Sequence, residues 1–333
     1  MAKYNVYGIG NALVDKEFEV DESFFQNHNI EKGVMTLVAH EQQDHLLNLL
    51  TATSGVKKQA GGGSAGNTLY ALSQFGGHAY FACKVANDET GNYYLEQLGH
   101  HNIDTSIGSR ESGISGRCLV MISPDAERTM HTYLGISEFL STDELDFENV
   151  RQSDYIYIEG YLVTSPTAKS AIIDLKRFAE KSHIKTAMTF SDPAMLEYFK
   201  DDVNDVLGDG VDLLFCNEQE ALLWSGVDKL DKACKLMQQK ARTFAITRGA
   251  NGALLYDGSE YISIEGNRVN AIDTNGAGDM FAGAFLYAIT RGEDFETAGK
   301  LASLASAKVV SQFGPRLEAE QHREIVRQSL NSS

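Results

Sequence analysis

The sequence has little of several features that mark whole classes of protein. Only four of its 333 residues are cysteine, and none of them form a Cys-x-x-Cys pair, which excludes a disulfide framework or a thiolate zinc site and predicts reduced, mostly buried thiols. Basic residues are also scarce: 29 Lys and Arg stand against 46 Asp and Glu, a net charge of −17 that disfavours nucleic-acid binding through a basic face. No apolar run reaches the ~18 residues of a membrane span, and the first ten residues show no signal-peptide pattern. We therefore expect a cytoplasmic protein that binds neither nucleic acid nor membrane.

Common catalytic and architectural signatures are missing as well. The pair Gly299-Lys300 is preceded at the required distance by Asp294 instead of glycine, so any phosphate binding is not of the Walker type. His40-Glu41 is followed by Asp44 where a zinc-protease motif needs a second histidine. No repeat or low-complexity tract appears, which excludes a solenoid.

The spacing of apolar residues predicts strands and helices that alternate along the chain. A helix is expected over residues 167–181, where apolar residues recur every three or four positions. Strands are expected on both sides of it, at 154–158 and 184–190, and a strand at 211–216 leads into a helix from Glu218. This alternation predicts an α/β fold with a parallel sheet and helices on its faces.

Two segments interrupt the alternation and predict a second, smaller layer. They cover about residues 15–39 and 113–135, and the second contains two strand-like runs, 117–122 and 128–133, around a Ser-Pro-Asp-Ala-Glu turn. We expect them to form one small antiparallel sheet. Because no linker separates independent domains, residues 1–333 are interpreted as a single domain with this layer inserted.

The strongest local signal is the glycine turn Asp273-Thr-Asn-Gly276-Ala-Gly278-Asp279, which leads into a run with helical spacing that stops near Arg291. Backbone N–H groups at such a helix start form a concave site for a phosphate or a developing oxyanion. Asp279 at its rim would repel a phosphate, but it could take a proton from a hydroxyl that attacks one. The alternative is an ordinary helix start at which the acid complements the helix dipole. The two glycines and the upstream Asp273 favour kinase chemistry.

A second glycine turn, Gly61-Gly-Gly-Ser-Ala-Gly66-Asn67, fits two weaker patterns, the dinucleotide fingerprint and the nucleophile elbow of hydrolases. Both need an apolar strand directly before the glycines, and residues 54–60 do not predict one. The strand expected at 79–83 ends at Lys84, whereas ribose recognition needs an acid. We therefore interpret the turn as a place where a polar small molecule lies against backbone, with Asn67 donating and accepting hydrogen bonds.

Other polar residues follow expected strands. Asp15, just after the first strand, is suited to accept two hydrogen bonds from a vicinal diol. Asn217 and Glu220 lie three apart on one face of the expected helix, and such oxygen ligands suit hydrated Mg²⁺. Thr247 and the glycines after it suit close approach by a nucleotide. Taken singly, such residues are more often a solvated loop acid, a helix cap or a turn.

Together these motifs resemble the PfkB carbohydrate-kinase family of the ribokinase-like fold. They occur in family order over nearly the whole chain, from Gly8 to Arg316, and the Asp273–Asp279 block is the most specific. The resemblance implies a three-layer α/β/α architecture with a mainly parallel central sheet and a small β lid, formed here by about 15–39 and 113–135. Within the family, the similarity is greatest to bacterial adenosine-kinase-like members.

The resemblance also implies roles for individual residues. Asp279 would be the general base, the amides of Gly276, Ala277 and Gly278 the anion site, and Arg128 a lid residue that reaches the phosphates. The residues expected to hold the acceptor are Asn11, Asp15, Gly62, Gly63 and Asn67. Those expected on the ATP side are Asn217, Glu220, Thr247, Gly249, Gly252, Gly278 and residues 307–311, with Asn217 and Glu220 organising hydrated Mg²⁺. Asp273 and Asn275 would lie beside a monovalent cation such as K⁺.

The expected activity is ATP-dependent, Mg²⁺-requiring phosphorylation of a primary hydroxyl, of adenosine first and of a sugar such as ribose or fructose second. A base pocket would use apolar groups such as Phe18, Cys118 and Leu134. Many members carry Asp-Pro-Asn followed by Arg where this chain has Ser191-Asp-Pro-Ala194, so sugar specificity does not transfer. A nucleotide-binding regulator without turnover is the alternative of another class. We expect a monomer or a homodimer.

Overall fold

The computed structural model describes residues 2–106, 110–125 and 127–330. It contains two sheets and helices that pack mainly on the larger one. The strands, in chain order, are β1 (Tyr4–Ile9), β2 (Leu13–Glu19), β3 (Met35–Leu37), β4 (Lys58–Gly62), β5 (Ala79–Ala82), β6 (Ile103–Asp104), β7 (Gly116–Ile122), β8 (Arg128–Tyr133), β9 (Ser153–Ile158), β10 (Lys185–Thr189), β11 (Val211–Asn217), β12 (Ala241–Thr247), β13 (Ala253–Tyr256) and β14 (Tyr261–Ile264).

The α-helices confirm the elements that the apolar spacing predicts. The helix expected over 167–181 runs from Pro166 to Lys181, and the one expected from Glu218 begins there. In chain order the helices are α1 (Glu22–His28), α2 (His40–Thr53), α3 (Ser64–Gln74), α4 (Glu89–His100), α5 (Phe147–Arg151), α6 (Pro166–Lys181), α7 (Pro193–Tyr198), α8 (Lys200–Leu207), α9 (Glu218–Ser225), α10 (Leu230–Met237), α11 (Ala277–Thr290), α12 (Phe295–Val309) and α13 (Ala319–Leu330). Among the described residues, no helix combines the length and apolarity needed to cross a membrane.

The central sheet has nine strands in the order β14-β13-β12-β11-β10-β9-β1-β5-β6, and it is parallel except at β13 and β14. Its strands are apolar on both faces, as expected for a sheet between two layers of helices. In β11, Leu213 and Phe215 join the core that contains α11 and α12, whereas Leu214 and Cys216 join the core that contains α6. The three-layer α/β/α prediction is confirmed, and all four cysteines are buried free thiols.

The second sheet has five strands in the order β3-β8-β7-β2-β4. The predicted hairpin is present as the antiparallel pair β7 and β8, but β2 pairs with β7, and β3 with β8, in parallel. The expectation of an antiparallel layer is therefore wrong in part, because only strands joined by a tight turn must run antiparallel. A further strand, β4, was not predicted: its sequence Lys-Gln-Ala-Gly-Gly lacks apolar alternation, and it pairs only at the sheet edge.

Candidate active site

The glycine turn at 276 starts a helix, as the sequence predicts. Gly276 is the N-cap of α11 with φ of 74°, and a Cβ there would lie 2.4 Å from Cβ of Pro315, so only glycine fits. The first N–H groups of a helix have no intrahelical partner, and no side chain caps them here; the N–H of Ala277 meets the Thr274 carbonyl oxygen at 3.4 Å. Gly278 is exposed, and a Cβ there would meet nothing within 4 Å. The glycine at 278 therefore leaves open space in front of the helix start.

Asp279 lies in the first turn of α11, where α3 approaches it. Ser64 Oγ donates to Asp279 Oδ1 at 2.7 Å, and Asn67 Nδ2 donates to Oδ2 at 3.2 Å. The side chain is partly buried. Burial raises the pKa of Asp279, while the hydrogen bonds from Ser64 and Asn67 act in the opposite direction. The carboxylate is thus held in place by two donors and still reaches the surface, as a base that accepts a proton from a bound hydroxyl requires.

Two residues that support this carboxylate were not assigned a role from the sequence. In the sequence, Ser64 is the serine of the hydrolase-like pattern in the second glycine turn, and Arg316 marks the end of the motifs that resemble the family. Arg316 is buried, and its Nε donates to Asn67 Oδ1 at 3.0 Å. Arg316 and Asn67 are 249 positions apart, so no local pattern could have paired them.

Asp15 lies inside β2, and not in a loop after the first strand. The expectation is corrected because the chain crosses from β1 into the second sheet within residues 10–12. The Asp15 carboxylate rests against Gly62, where a Cβ would be 2.0 Å from its Oδ1. Burial raises the pKa of Asp15 to about 7, with Arg316 lowering it and Asp279 raising it. A buried carboxylate against bare backbone suits a diol that supplies its hydrogen bonds.

Glu159 organises the other expected acceptor residues and was missed in the sequence. Its carboxylate accepts from the backbone N–H of Asn11 at 3.2 Å, from Asn11 Nδ2 at 3.0 Å and from the N–H of Ala65 at 2.8 Å. It therefore fastens the loop after β1 to the start of α3. Gly63, with φ of 80°, lies so close to the loop after β1 that a Cβ on it would be 2.1 Å from the Asn11 carbonyl oxygen.

The face of the second sheet that carries Asp15 and Glu17 also carries an apolar cluster. The apolar side chains on it are Leu13, Cys118, Val120, Ile122 and Leu134, packed with Met130 and Phe313. Of the residues proposed for a base pocket, Cys118 and Leu134 therefore lie on the expected face. Phe18 does not: it packs with α1 and α2 on the opposite face, because side chains alternate along a strand and Phe18 is three positions from Asp15.

Arg128 joins the second sheet to the glycine turn. Its Nη1 donates to the carbonyl oxygen of Thr274 at 3.3 Å. Burial alone would lower the pKa of Arg128, but the nearby charges of Tyr161, Asp192 and Asp279 raise it. The charge of Arg128 also lowers the pKa of Glu220. Its guanidinium therefore interacts electrostatically with both Asp279 and Glu220, a residue expected on the ATP side.

Asp273 fastens the turn before α11. Its Oδ1 accepts from the N–H of Asn275 and its Oδ2 from the N–H of Gly314, both at 2.8 Å. Close by, the carboxylate of Glu17 and the Nδ2 of Asn275 are buried without a hydrogen-bond partner among the described residues. Burial, with Asp273 and Asp15 adding to it, raises the pKa of Glu17 to about 8. The monovalent-cation role of Asp273 and Asn275 stays a prediction.

Asn217 and Glu220 form a reciprocal capping box rather than a pair on one helix face. Asn217 is the last residue of β11 and the N-cap of α9: its Oδ1 accepts from the N–H of Glu220 at 2.8 Å, and Glu220 accepts from the N–H and Nδ2 of Asn217 at 2.9 Å. Burial raises the pKa of Glu220 to about 7. Thr247 pairs with Asn217 across β11 and β12, so three of the expected nucleotide residues are adjacent.

The two glycines after Thr247 differ in the space around them. Gly252 has φ of 81° and a Cβ there would lie 2.0 Å from the Ile264 carbonyl oxygen, so it is required by the turn. Gly249 is exposed with nothing within 4 Å. At the other end of this region, Ser306 Oγ donates to the Ala277 carbonyl oxygen at 2.9 Å, which ties α12, and with it residues 307–311, to the glycine turn.

Known proteins are similar to the chain over most of its length. Residues 34–322 match the model of the pfkB family carbohydrate kinase. An adenosine kinase from Sinorhizobium meliloti is 32% identical, with a TM-score of 0.91 over 97% of this chain and 99% of that one. A probable sugar kinase from Rhizobium etli CFN 42 is 31% identical, with a TM-score of 0.93 over 98% and 99%. The adenosine kinase of Saccharomyces cerevisiae is 25% identical over 94% of this chain and 96% of its own length.

Proposed function

The chain belongs to the pfkB carbohydrate kinase family and phosphorylates a hydroxyl group, and from this premise we propose that ATP is the donor and that the acceptor is the primary hydroxyl of a nucleoside, adenosine first. The observation that carries the proposal is the position of Asp279, a partly exposed carboxylate held by Ser64 and Asn67 at the uncapped start of α11. It places a proton acceptor beside the backbone N–H groups of a helix start that no side chain caps.

In this proposal Asp279 takes the proton of the acceptor hydroxyl as the hydroxyl oxygen bonds to the γ-phosphorus. The bond from that phosphorus to the β,γ-bridging oxygen breaks, and ADP leaves with the bonding electrons. The amides of Gly276, Ala277 and Gly278 stabilise the negative charge on the transferred group, together with Arg128. These local donors are necessary because a protein of charge −17 repels ATP as a whole.

The apolar cluster on the second sheet favours a nucleoside over a free sugar. A purine is a flat apolar body, and Leu13, Cys118, Val120 and Leu134 offer such a surface. Among the carboxylates beside them, Asp15 rests against the bare backbone of Gly62 and suits the vicinal diol of a ribose. The similarity to the Sinorhizobium adenosine kinase supports the same acceptor, whereas the similarity to the Rhizobium sugar kinase keeps a sugar as the second candidate.

The residues on the nucleotide side fit a hydrated Mg²⁺. Among the described residues, no group of three or more acidic, His or Cys side chains is placed to ligate a metal directly. An ion held by the ATP phosphates and water needs only protein acceptors for its water ligands. The carboxylate oxygens of Glu220 accept from Asn217 and retain free lone pairs for this purpose. When bound, Mg²⁺ neutralises charge on the phosphates. The Asp273–Asn275 turn is the proposed place for a monovalent ion.

The second sheet acts as a lid of the single domain in this proposal. Arg128 on β8 contacts the carbonyl of Thr274, so the sheet is fastened to the glycine turn on one side, and Asp15 on β2 faces the acceptor. Closure excludes water, which otherwise competes with the hydroxyl for the phosphoryl group. Four buried free thiols are in keeping with a reducing, cytoplasmic location.

The test is a panel of nucleosides and sugars incubated with Mg·ATP, followed by ADP release and by the mass of the product. We expect adenosine to give AMP with the highest kcat/KM of the panel. Preferred phosphorylation of a free sugar would replace the nucleoside assignment with the second candidate. Tight ATP binding with no phosphorylated product from any acceptor would contradict the kinase mechanism and favour a regulator.

A further inference from the structure

Arg316 is a buried cation that contacts the candidate site through Asn67. Only 7% of its surface is exposed. Its guanidinium carbon lies 4.6 Å from the ring centroid of Tyr70, and the Tyr70 hydroxyl donates to the carbonyl oxygen of Leu317 at 3.0 Å. Tyr70 is one turn after Asn67 on α3, so the same helix face holds both partners of the guanidinium. The stacking and the bond to Asn67 fix the plane of the group.

This arrangement decides which way the Asn67 amide faces. A guanidinium has only donors, so the Asn67 atom that meets Arg316 Nε at 3.0 Å must be the acceptor Oδ1. The amide nitrogen is then left to face Oδ2 of Asp279, at 3.2 Å. With the amide reversed, an acceptor would meet the carboxylate and both contacts would be lost. The Asp279 carboxylate, which only accepts, favours the same orientation, and the bond from Arg316 holds the other end of the amide in it.

The contacts of Arg316 do not describe a purely structural ion pair. Its Nη2 is buried without a hydrogen-bond partner among the described residues, although buried polar groups in structural networks are normally satisfied. Its charge acts on the site instead. Burial raises the pKa of Asp279 and of Asp15, and the charge of Arg316 counteracts both shifts.

The segment that carries Arg316 also touches the glycine turn. The N–H of Gly314 donates to Asp273 at 2.8 Å, and Pro315 packs against Gly276. Three consecutive residues therefore contact the turn at α11 on one side and Asn67 on the other. A guanidinium anchored in this way is held at a fixed place relative to the base.

We propose that Arg316 is a positioning residue for phosphoryl transfer, which fixes the side-chain amide of Asn67 so that its N–H group faces Asp279. The inference rests on the proposed function, in which Asp279 is the base. Arg316 itself touches neither the base nor the reacting atoms. Its loss therefore affects the rate and the pH dependence of the reaction more than the binding of ATP.

The test compares the pH profiles of kcat for the wild type, Arg316→Met and Arg316→Lys, with the acceptor that the panel identifies. Arg316→Met should lower kcat by at least about tenfold with little change in the KM for ATP, and should move the acid limb to higher pH. Arg316→Lys keeps the charge but not the planar donor, so kcat should fall while the acid limb stays near that of the wild type. Gln312→Ala is the control: Gln312 Nε2 donates to the backbone carbonyl of Arg316 at 3.2 Å and its Oε1 accepts from Gln321 Nε2, so its loss removes no contact of the guanidinium.

A double-mutant cycle with Asn67→Ala completes the test. If Arg316 acts through Asn67, changing Arg316 in the Asn67→Ala protein should lower kcat on the high-pH plateau, where the base is fully deprotonated, by less than about twofold further. Wild-type kcat in Arg316→Met, or effects that multiply in the double variant, would overturn the proposal. Should Arg316→Met not fold, the cycle with Arg316→Lys gives the same decision. Failure of the proposed function would instead appear in the wild type, as absence of transfer to any acceptor.

Discussion

Ser64, the first residue of α3, donates a 2.7 Å hydrogen bond to Asp279 in the first turn of α11, although 215 positions separate them. This hydrogen bond joins α3 to α11 at Asp279, the proposed general base. A donor of this kind stabilises the charged carboxylate and lowers its pKa. The protonation state of Asp279 therefore depends on a hydroxyl group from another helix.

Ser64→Ala should move the acid limb of the kcat profile to higher pH, because it removes a hydrogen bond that stabilises the charged form of Asp279. The sign follows from the chemistry: the base acts only when deprotonated, and removing the donor raises its pKa. At high pH, kcat should approach that of the wild type. Ser73→Ala, which removes a hydroxyl bonded to the Tyr70 carbonyl on the same helix, is the control and should leave the profile unchanged. Complete inactivity at every pH would instead indicate a nucleophilic serine.

Gly278→Ala should lower the activity without lowering the stability of the protein. A methyl group there meets no protein atom within 4 Å, and alanine is favoured over glycine in a helix by up to about 1 kcal/mol, so the melting temperature should hold or rise. Activity should fall by more than about tenfold, because the methyl group enters the space assigned to the phosphoryl group. Gly99→Ala in α4, also with nothing within 4 Å, is the matched control and should gain stability without losing activity. Equal activity in both variants would contradict the phosphoryl position.

Glu17 makes the stability of the fold depend on pH. Its pKa is about 8 in the folded protein and 4.5 ordinarily, so between these values the folded state holds a proton that the unfolded state has lost. The contribution of this group is therefore largest at low pH and is lost as the pH rises towards 8, at about 1.4 kcal/mol per unit at most.

Glu17→Gln removes this titration, so at pH 9 its free energy of unfolding should exceed that of the wild type by at least ~1 kcal/mol, and the difference should shrink towards pH 5. Denaturant unfolding at the two pH values measures it. Glu19→Gln, on the same strand but exposed and paired with Lys57, is the control. A constant difference at both pH values would show that Glu17 is already ionised.

Local patterns predicted the parts of the site that are local in the chain. The glycines before a helical apolar run placed the start of α11 at the right residue, and the Asn-x-x-Glu spacing at 217–220 carries the sequence signature of the capping box found there. The hairpin of β7 and β8 was predicted for the same reason, since a short turn joins its strands.

The contacts that join distant segments could not be predicted in this way. Ser64 and Arg316 act on Asp279 and Asn67 from more than 200 positions away, and Glu159 fastens Asn11 across 148 positions. The parallel pairing of β2 with β7 and the polar edge strand β4 leave no alternating apolar pattern to detect. Phe18 has the apolar character that a base pocket needs, but it is three positions from Asp15 on the same strand and therefore lies on the opposite face.

The most direct test of the mechanism is the single-turnover rate of Asp279→Asn with Mg·ATP and the preferred acceptor, alongside its affinity for ATP. Asp201→Asn, an exposed acid in the first turn of α8, serves as the control. A rate lower by on the order of 10²–10⁴, with ATP affinity nearly unchanged, is the predicted result for loss of a general base. A rate close to that of the wild type would contradict the assignment of Asp279 and, with it, the account of the site.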